Sequence, residues 1–110
     1  MTVAELSGRV VGWGSLSPFH SRSAYRRTVE NSVYVHHEFL FRGIGSAILT
    51  DLIKRGKTIG HHAIIALIDS GQPASVALHN KFRFQHAGHL KQVGFKHDRW
   101  LDVIYMQLLL

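Results

Sequence analysis

The chain reads as a mixed α/β (α+β) domain, with a mostly antiparallel sheet and two helices. Three observations predict it. β-favouring runs and helical patterns fall in the order β-β-β-α-β-α-β-β. Arg42-Gly43-Ile44-Gly45-Ser46 joins a strand pattern directly to a helical one, in which Ile44, Ala47, Ile48 and Leu52 recur at spacings of three and four. Ala63 to Ile68 is a continuous apolar run after that helix, which fits a buried strand pairing parallel across it.

The elements follow in order. Thr2 to Leu6 and Arg9 to Leu16 are strands joined by the turn signal Ser7-Gly8, hence a hairpin. Gly12 and Gly14 inside the second strand mark a bulge or a close approach of backbone. Ser17 to Ser23 is a polar loop around Pro18, and its Phe19, His20 and Arg22 are placed to face a substrate. Ala24 to His36 is the third strand, ending in Val33-Tyr34-Val35, and His37 to Phe41 links it to the glycine turn. The first helix runs to about Arg55, with Gly56 as its stop. Pro73 suits the first turn of a second helix whose apolar face carries Val76, Ala77 and Phe82. His86 to Lys96 and Trp100 to Leu109 form a closing hairpin across His97-Asp98-Arg99.

The composition sets outer bounds. The length of 110 residues suits a single domain over 1–110, and 45% hydrophobic content supports a core. No apolar run is long enough to cross a membrane and the first residues lack an apolar signal core, so a cytoplasmic protein without a membrane partner is expected. The absence of cysteine removes disulfides, thiolate metal sites and a thiol nucleophile. A net charge of +6 suits an anionic partner, although a solvated basic surface explains it equally well. Nucleic acid is not expected, because no basic run interleaves with aromatics. His36-His37 and His61-His62 are adjacent pairs, which a strand points in opposite directions, so no metal site is expected.

The glycine turn carries the chemistry. A turn that opens a helix leaves several backbone N–H groups without internal partners, and the helix dipole makes that point attractive to an anion. The amides from Arg42 to Ser46 therefore read as a phosphate cradle. An ordinary strand-to-helix turn is the plainer alternative.

Val33-Tyr34-Val35, followed by Leu40-Phe41-Arg42-Gly43-Ile44-Gly45-Ser46, resembles the acetyl-CoA signature of the GNAT superfamily of N-acetyltransferases, whose core is Gln/Arg-x-x-Gly-x-Gly/Ala. Both glycines match at Gly43 and Gly45, and Leu40 stands where Gln/Arg is usual. Ser17-Pro18-Phe19, Ala24-Tyr25, Thr28-Val29-Glu30 and Gly94-Phe95-Lys96-His97, with Trp100 and Asp102-Val103, are similar to the phosphinothricin acetyltransferase subfamily. The similarity runs from about Val3 to Leu108. GNAT domains have the same element order, preceded by a first strand and two more helices that this sequence lacks. An uncovered sheet edge and an uncovered apolar face are expected from that lack. A truncated gene product, a fragment, and a homodimer that covers the exposed sheet are the three readings.

The resemblance implies acetyl-CoA as cosubstrate and direct acetyl transfer, in a ternary complex, to the amine of a small amino-acid-like acceptor. Val33, Tyr34 and Val35 would pair their backbone with the pantetheine amides. Leu40, Phe41, Arg42, Gly43, Ile44, Gly45 and Ser46 would surround the pyrophosphate. Gln72 takes the place of a cofactor-contacting Asn. Arg83 replaces a Gly at the end of the second helix, which implies mild strain or a different exit.

Glu30 matches the subfamily's Glu and would be the general base, working directly or through water. Its plainer reading is a surface carboxylate paired with Arg26 or Arg27. A backbone N–H near Val35 would face the developing oxyanion. His79, in Leu78-His79, occupies the position of the family's proton donor, or would contact the cofactor, or would simply bond locally in its helix. Arg22, Tyr25, His97 and Trp100 would line the acceptor pocket, Trp100 having a core position as its plainer reading. A non-catalytic acyl-CoA-binding or interaction module is the alternative function.

Overall fold

Two tight turns define the ends of the sheet. In the computed structural model, which describes residues 1–110, Ser7 and Gly8 both adopt positive φ (53° and 80°), as do His97 and Asp98 (52° and 60°). Two consecutive left-handed residues match the twist of the flanking strands. The first turn joins β1 (Thr2–Leu6) to β2 (Arg9–Pro18), and the second joins β5 (Gln85–Lys96) to β6 (Arg99–Leu109). Between them lie β3 (Thr28–Val35), α1 (Ile44–Ile59), β4 (Ala63–Asp69) and α2 (Pro73–Lys81).

The six strands form one mixed sheet in the order β1-β2-β3-β4-β6-β5. Only β3 and β4 run parallel, because α1 carries the chain back between them. The other four neighbouring pairs are antiparallel. The expected mixed, mostly antiparallel sheet with two helices is thus observed. The third strand is shorter than the β pattern suggested. Ser23–Tyr25 forms a 3₁₀ turn, in which Tyr25 N–H donates to Arg22 O at 3.0 Å.

Both helices cover the same face. Leu49 of α1 packs with Val29, Ile64, Ala66, Ile68, Phe84 and Met106, and Val76, Leu78 and Phe82 from α2 and its end lean on that cluster. Ala77, expected on the apolar face of α2, is exposed, and Leu78 takes its place. A second cluster joins Val11 of β2 to Ile44, Ile48 and Leu52. Burying each Leu or Ile side chain of this kind is worth about 1.5–3 kcal/mol. Gly12 supplies the close approach foreseen in β2: a Cβ there would meet Ile48 Cδ1 at 3.1 Å and Ile44 Cγ2 at 3.2 Å.

The end of α1 is corrected. The helix passes Gly56 and stops at Gly60, whose φ is 100°. Gly60 and His61 both donate their N–H to Gly56 O, at 3.1 and 2.9 Å, closing the last turn. Gly56 is buried, and a Cβ on it would meet Leu110 Cδ1 at 3.2 Å, so its absent side chain lets the C-terminus pack.

The opposite face of the sheet carries no helix. Val3, Trp13 and Tyr34 are direct neighbours across β1, β2 and β3, and they are 48%, 39% and 43% exposed. Leu67 and Leu90 are also exposed. The uncovered apolar face expected from the sequence is present.

Candidate active site

β3 and β4 pair only as far as Asn31 and Ala66. Beyond that point β3 continues to Val35 bonded to β2 alone, and β4 continues to Asp69 bonded to β6 alone. The separation opens a cleft of about 160 Å³, lined by Glu30, Asn31 and Val33 from β3, Leu67 from β4, and Gln72 and His79 from α2 and its cap. One backbone edge of Val33, Tyr34 and Val35 therefore lies without a strand partner. The side chains of Val33 and Val35 are anchored in the helix-side core, while Tyr34 lies beside Trp13 on the bare face, ring centroids 6.2 Å apart.

The N-terminus of α1 stands beside Val35, at the end of β3 that has parted from β4: a Cβ on Gly45 would lie 3.7 Å from Val35 Cγ2. Gly43 caps it with φ 77°, and the first intrahelical bond is Ala47 N–H to Gly43 O at 3.0 Å. The amides of Ile44, Gly45 and Ser46 precede that bond and have no carbonyl to reach inside the helix. A Cβ on Gly43 would meet nothing within 4 Å, so the cradle is open there. Gly45 is different. A Cβ on it would meet Leu78 Cδ2 at 3.2 Å, so this glycine lets α1 approach α2.

Two further residues shape the cradle. Lys81, in the last turn of α2, donates from Nζ to Ser46 Oγ at 3.2 Å, adding a positive charge that no local motif signals. Phe41 is 92% exposed with φ 62°, a left-handed conformation that a bulky residue adopts only under strain. Leu40 is also exposed, and Arg42 lies over the Phe39 ring at 5.3 Å.

His79 is buried at 3% exposure. Its Nδ1 lies 2.7 Å from Ser75 O and must carry the hydrogen that the carbonyl accepts. Its Nε2 then accepts from Asn31 Nδ2 at 3.0 Å. Burial holds the imidazole pKa below its usual 6.5, opposed by the bond to Ser75, so the neutral ring is favoured. Glu30 is half-buried in the cleft wall and forms no ion pair with Arg26 or Arg27. Gln72 turns its amide to Asp69, Nε2 donating to Oδ2 at 2.9 Å.

The expected acceptor residues are not brought together. Arg22 and Tyr25 precede β3, at the end of the sheet where Thr28 pairs with Ala63. Arg22 lines a second, wider recess of about 380 Å³ with Arg26 and His61. His97 and Trp100 stand at the tip of the β5–β6 hairpin, past Asp69 at the other end of β4. Nine residue steps along β6, from the partner of Ala63 to Trp100, span roughly 30 Å. Trp100 is 60% exposed and packs on Phe95 at 5.1 Å, which removes its core reading. His36 and His37 are not strand neighbours either; they enter a 3₁₀ turn with rings stacked at 4.4 Å.

The acetyltransferase (GNAT) family profile matches residues 1–84. The chain is 38% identical over 108 residues to the L-methionine sulfoximine/L-methionine sulfone acetyltransferase of Pseudomonas paraeruginosa, covering 98% of this chain and 63% of that protein. It is 42% identical over 106 residues to the phosphinothricin N-acetyltransferase of Alcaligenes faecalis, covering 96% of this chain and 54% of that protein. The chain thus spans less than two thirds of the length of either relative. The crystal structure of a GNAT superfamily phosphinothricin acetyltransferase from Sinorhizobium meliloti, in complex with acetyl-CoA, superposes with a TM-score of 0.94 at 42% identity, over 98% of this chain and 59% of that one.

Proposed function

The chain belongs to the acetyltransferase (GNAT) family, and on that premise we propose that it transfers an acetyl group from acetyl-CoA to the amine of a small amino-acid-like acceptor. The observation that carries the proposal is the parting of β3 from β4 beside the open N-terminus of α1. An unpaired strand edge offers amide-binding groups, and a helix start offers anion-binding groups. Acetyl-CoA carries both amides and phosphates on one flexible arm, and it supplies an activated thioester.

The chain's own residues would then act as follows. The amides of Ile44, Gly45 and Ser46 and the ammonium of Lys81 meet the diphosphate. The free backbone edge of Val33 and Val35 holds the amide arm, which runs along β3 away from the cradle toward Glu30. Glu30, on the cleft wall and free of any arginine, takes the proton from the incoming ammonium, directly or through water. His79, neutral and bonded at both ring nitrogens, serves as a contact on the cofactor side rather than as a ready proton donor.

A second reading is a non-catalytic acyl-CoA-binding module, favoured by the separation of Arg22 and Tyr25 from His97 and Trp100. One experiment divides the two. The chain is incubated with acetyl-CoA and L-methionine sulfoximine or phosphinothricin, and free thiol release is followed. Turnover that falls about tenfold or more in Glu30→Gln, with acetyl-CoA affinity kept, supports the enzyme. Binding of acetyl-CoA with no amine acetylated supports the module.

A further inference from the structure

Asn31 is the buried polar residue that the proposed chemistry leaves unused. It is 6% exposed, and its side chain faces the helices from β3 and lines the cleft. Its Nδ2 donates to His79 Nε2, while its Oδ1 is buried without any hydrogen-bond partner, alone among the side-chain polar atoms of the molecule. A buried amide oxygen left without a partner is destabilising unless something occupies it.

The orientation of the amide follows from His79. The ring hydrogen is committed at Nδ1, where Ser75 O accepts it. A neutral imidazole then has only a lone pair at Nε2, and only the NH₂ end of Asn31 suits a lone pair. Turning Oδ1 toward Nε2 would need hydrogens on both ring nitrogens, hence an imidazolium. Phe84 lies edge-on against the ring at 4.9 Å, and Glu30 is the sole other titratable group lining the cleft. Nothing packed directly on the ring compensates a positive charge. The neutral ring thus holds the amide with its oxygen spare.

We infer that Asn31 is a ligand-binding residue whose Oδ1 accepts an amide N–H of the acyl donor's arm, and that His79 is the positioning residue that keeps this oxygen available. The inference rests on the proposed use of acetyl-CoA. It fits the register: Asn31 lies four residues before Val35, about 13 Å along β3 from the cradle end, where the arm rather than the phosphates would run. The arm's secondary amides are neutral donors, which suit a buried neutral acceptor oxygen better than an ammonium does, since the ammonium would have to shed its hydration there.

The test compares two ligands by calorimetry on the full chain: acetyl-CoA, and adenosine 3′,5′-bisphosphate, which lacks the amide arm. Asn31→Leu is expected to weaken acetyl-CoA about tenfold and leave the bisphosphate unchanged. Asn31→Ala, which removes the oxygen without adding bulk, carries the same expectation should the leucine variant not fold. Asn31→Asp keeps an acceptor oxygen and should retain affinity within about threefold, while imidazole NMR reports His79 protonated at higher pH than in the wild type. Equal acetyl-CoA affinity in wild type and Asn31→Leu overturns the assignment alone. So does a rise in the acceptor's KM with acetyl-CoA binding intact. Failure of the wild-type chain to bind acetyl-CoA overturns the functional reading and this assignment with it.

Discussion

His79 and Lys81 show what a single side chain does once the fold has placed it. The neutral imidazole is favoured in the folded state, so the unfolded chain binds its proton more readily. This histidine's contribution is full above the usual pKa of 6.5 and is lost as pH falls through and below it. Thermal unfolding followed from pH 7.5 to 5.5 should show a decline that is shallower in His79→Leu than in the wild type; equal slopes would contradict the assignment. Lys81→Ala should weaken acetyl-CoA several-fold at low salt and less at high salt, because the lost term is a partly exposed charge. The place of Glu30 on the cleft wall was legible in its position before Val33. The partners of His79 and Lys81 were not. Asn31 is 48 positions from His79 and Ser46 is 35 from Lys81, separations that no local spacing encodes.

Turns and helix ends record where the sequence departs from what the backbone prefers. Arg83 has φ 68° after α2, so the mild strain expected from Arg in a glycine's place is present. Phe41 carries the same strain before α1. Arg83→Gly and Phe41→Gly should each raise stability by about 1 kcal/mol in denaturant unfolding, the cost of a left-handed L-residue. Gly45 has a packing role that its motif conceals. Gly45→Val should destabilise the chain through Leu78, and Leu78→Ala should recover part of that loss in the double variant. The extent of α1 is not legible locally: Gly56 looks like a stop in sequence, whereas its meaning is contact with Leu110, supplied by the far end of the chain. The two hairpins were readable, since their turn residues are fixed by local geometry.

At the scale of the whole molecule, one face of the sheet is covered by two helices and the other is bare. Element order and the parallel β3–β4 pair were legible, because apolar periodicity and one intervening helix dictate them. The parting of those strands was not, since it depends on how β2 and β6 hold them from outside. The residues expected to line an acceptor pocket are dispersed for a related reason: membership of one family pattern does not fix proximity in space when strands run to opposite ends. The bare row of Val3, Trp13 and Tyr34 should bind an apolar fluorescent dye, and Trp13→Gln should lower that signal while the fold is kept.

The central claim is that the open helix start and the free edge of β3 together take one acyl-CoA molecule. Titrating the isotopically labelled chain with acetyl-CoA and following its backbone amide resonances tests this directly. The largest shifts are expected at Val33 to Val35 and Gly43 to Ser46, saturating together at one equivalent. Saturable shifts confined to other segments, or none at all, would contradict it.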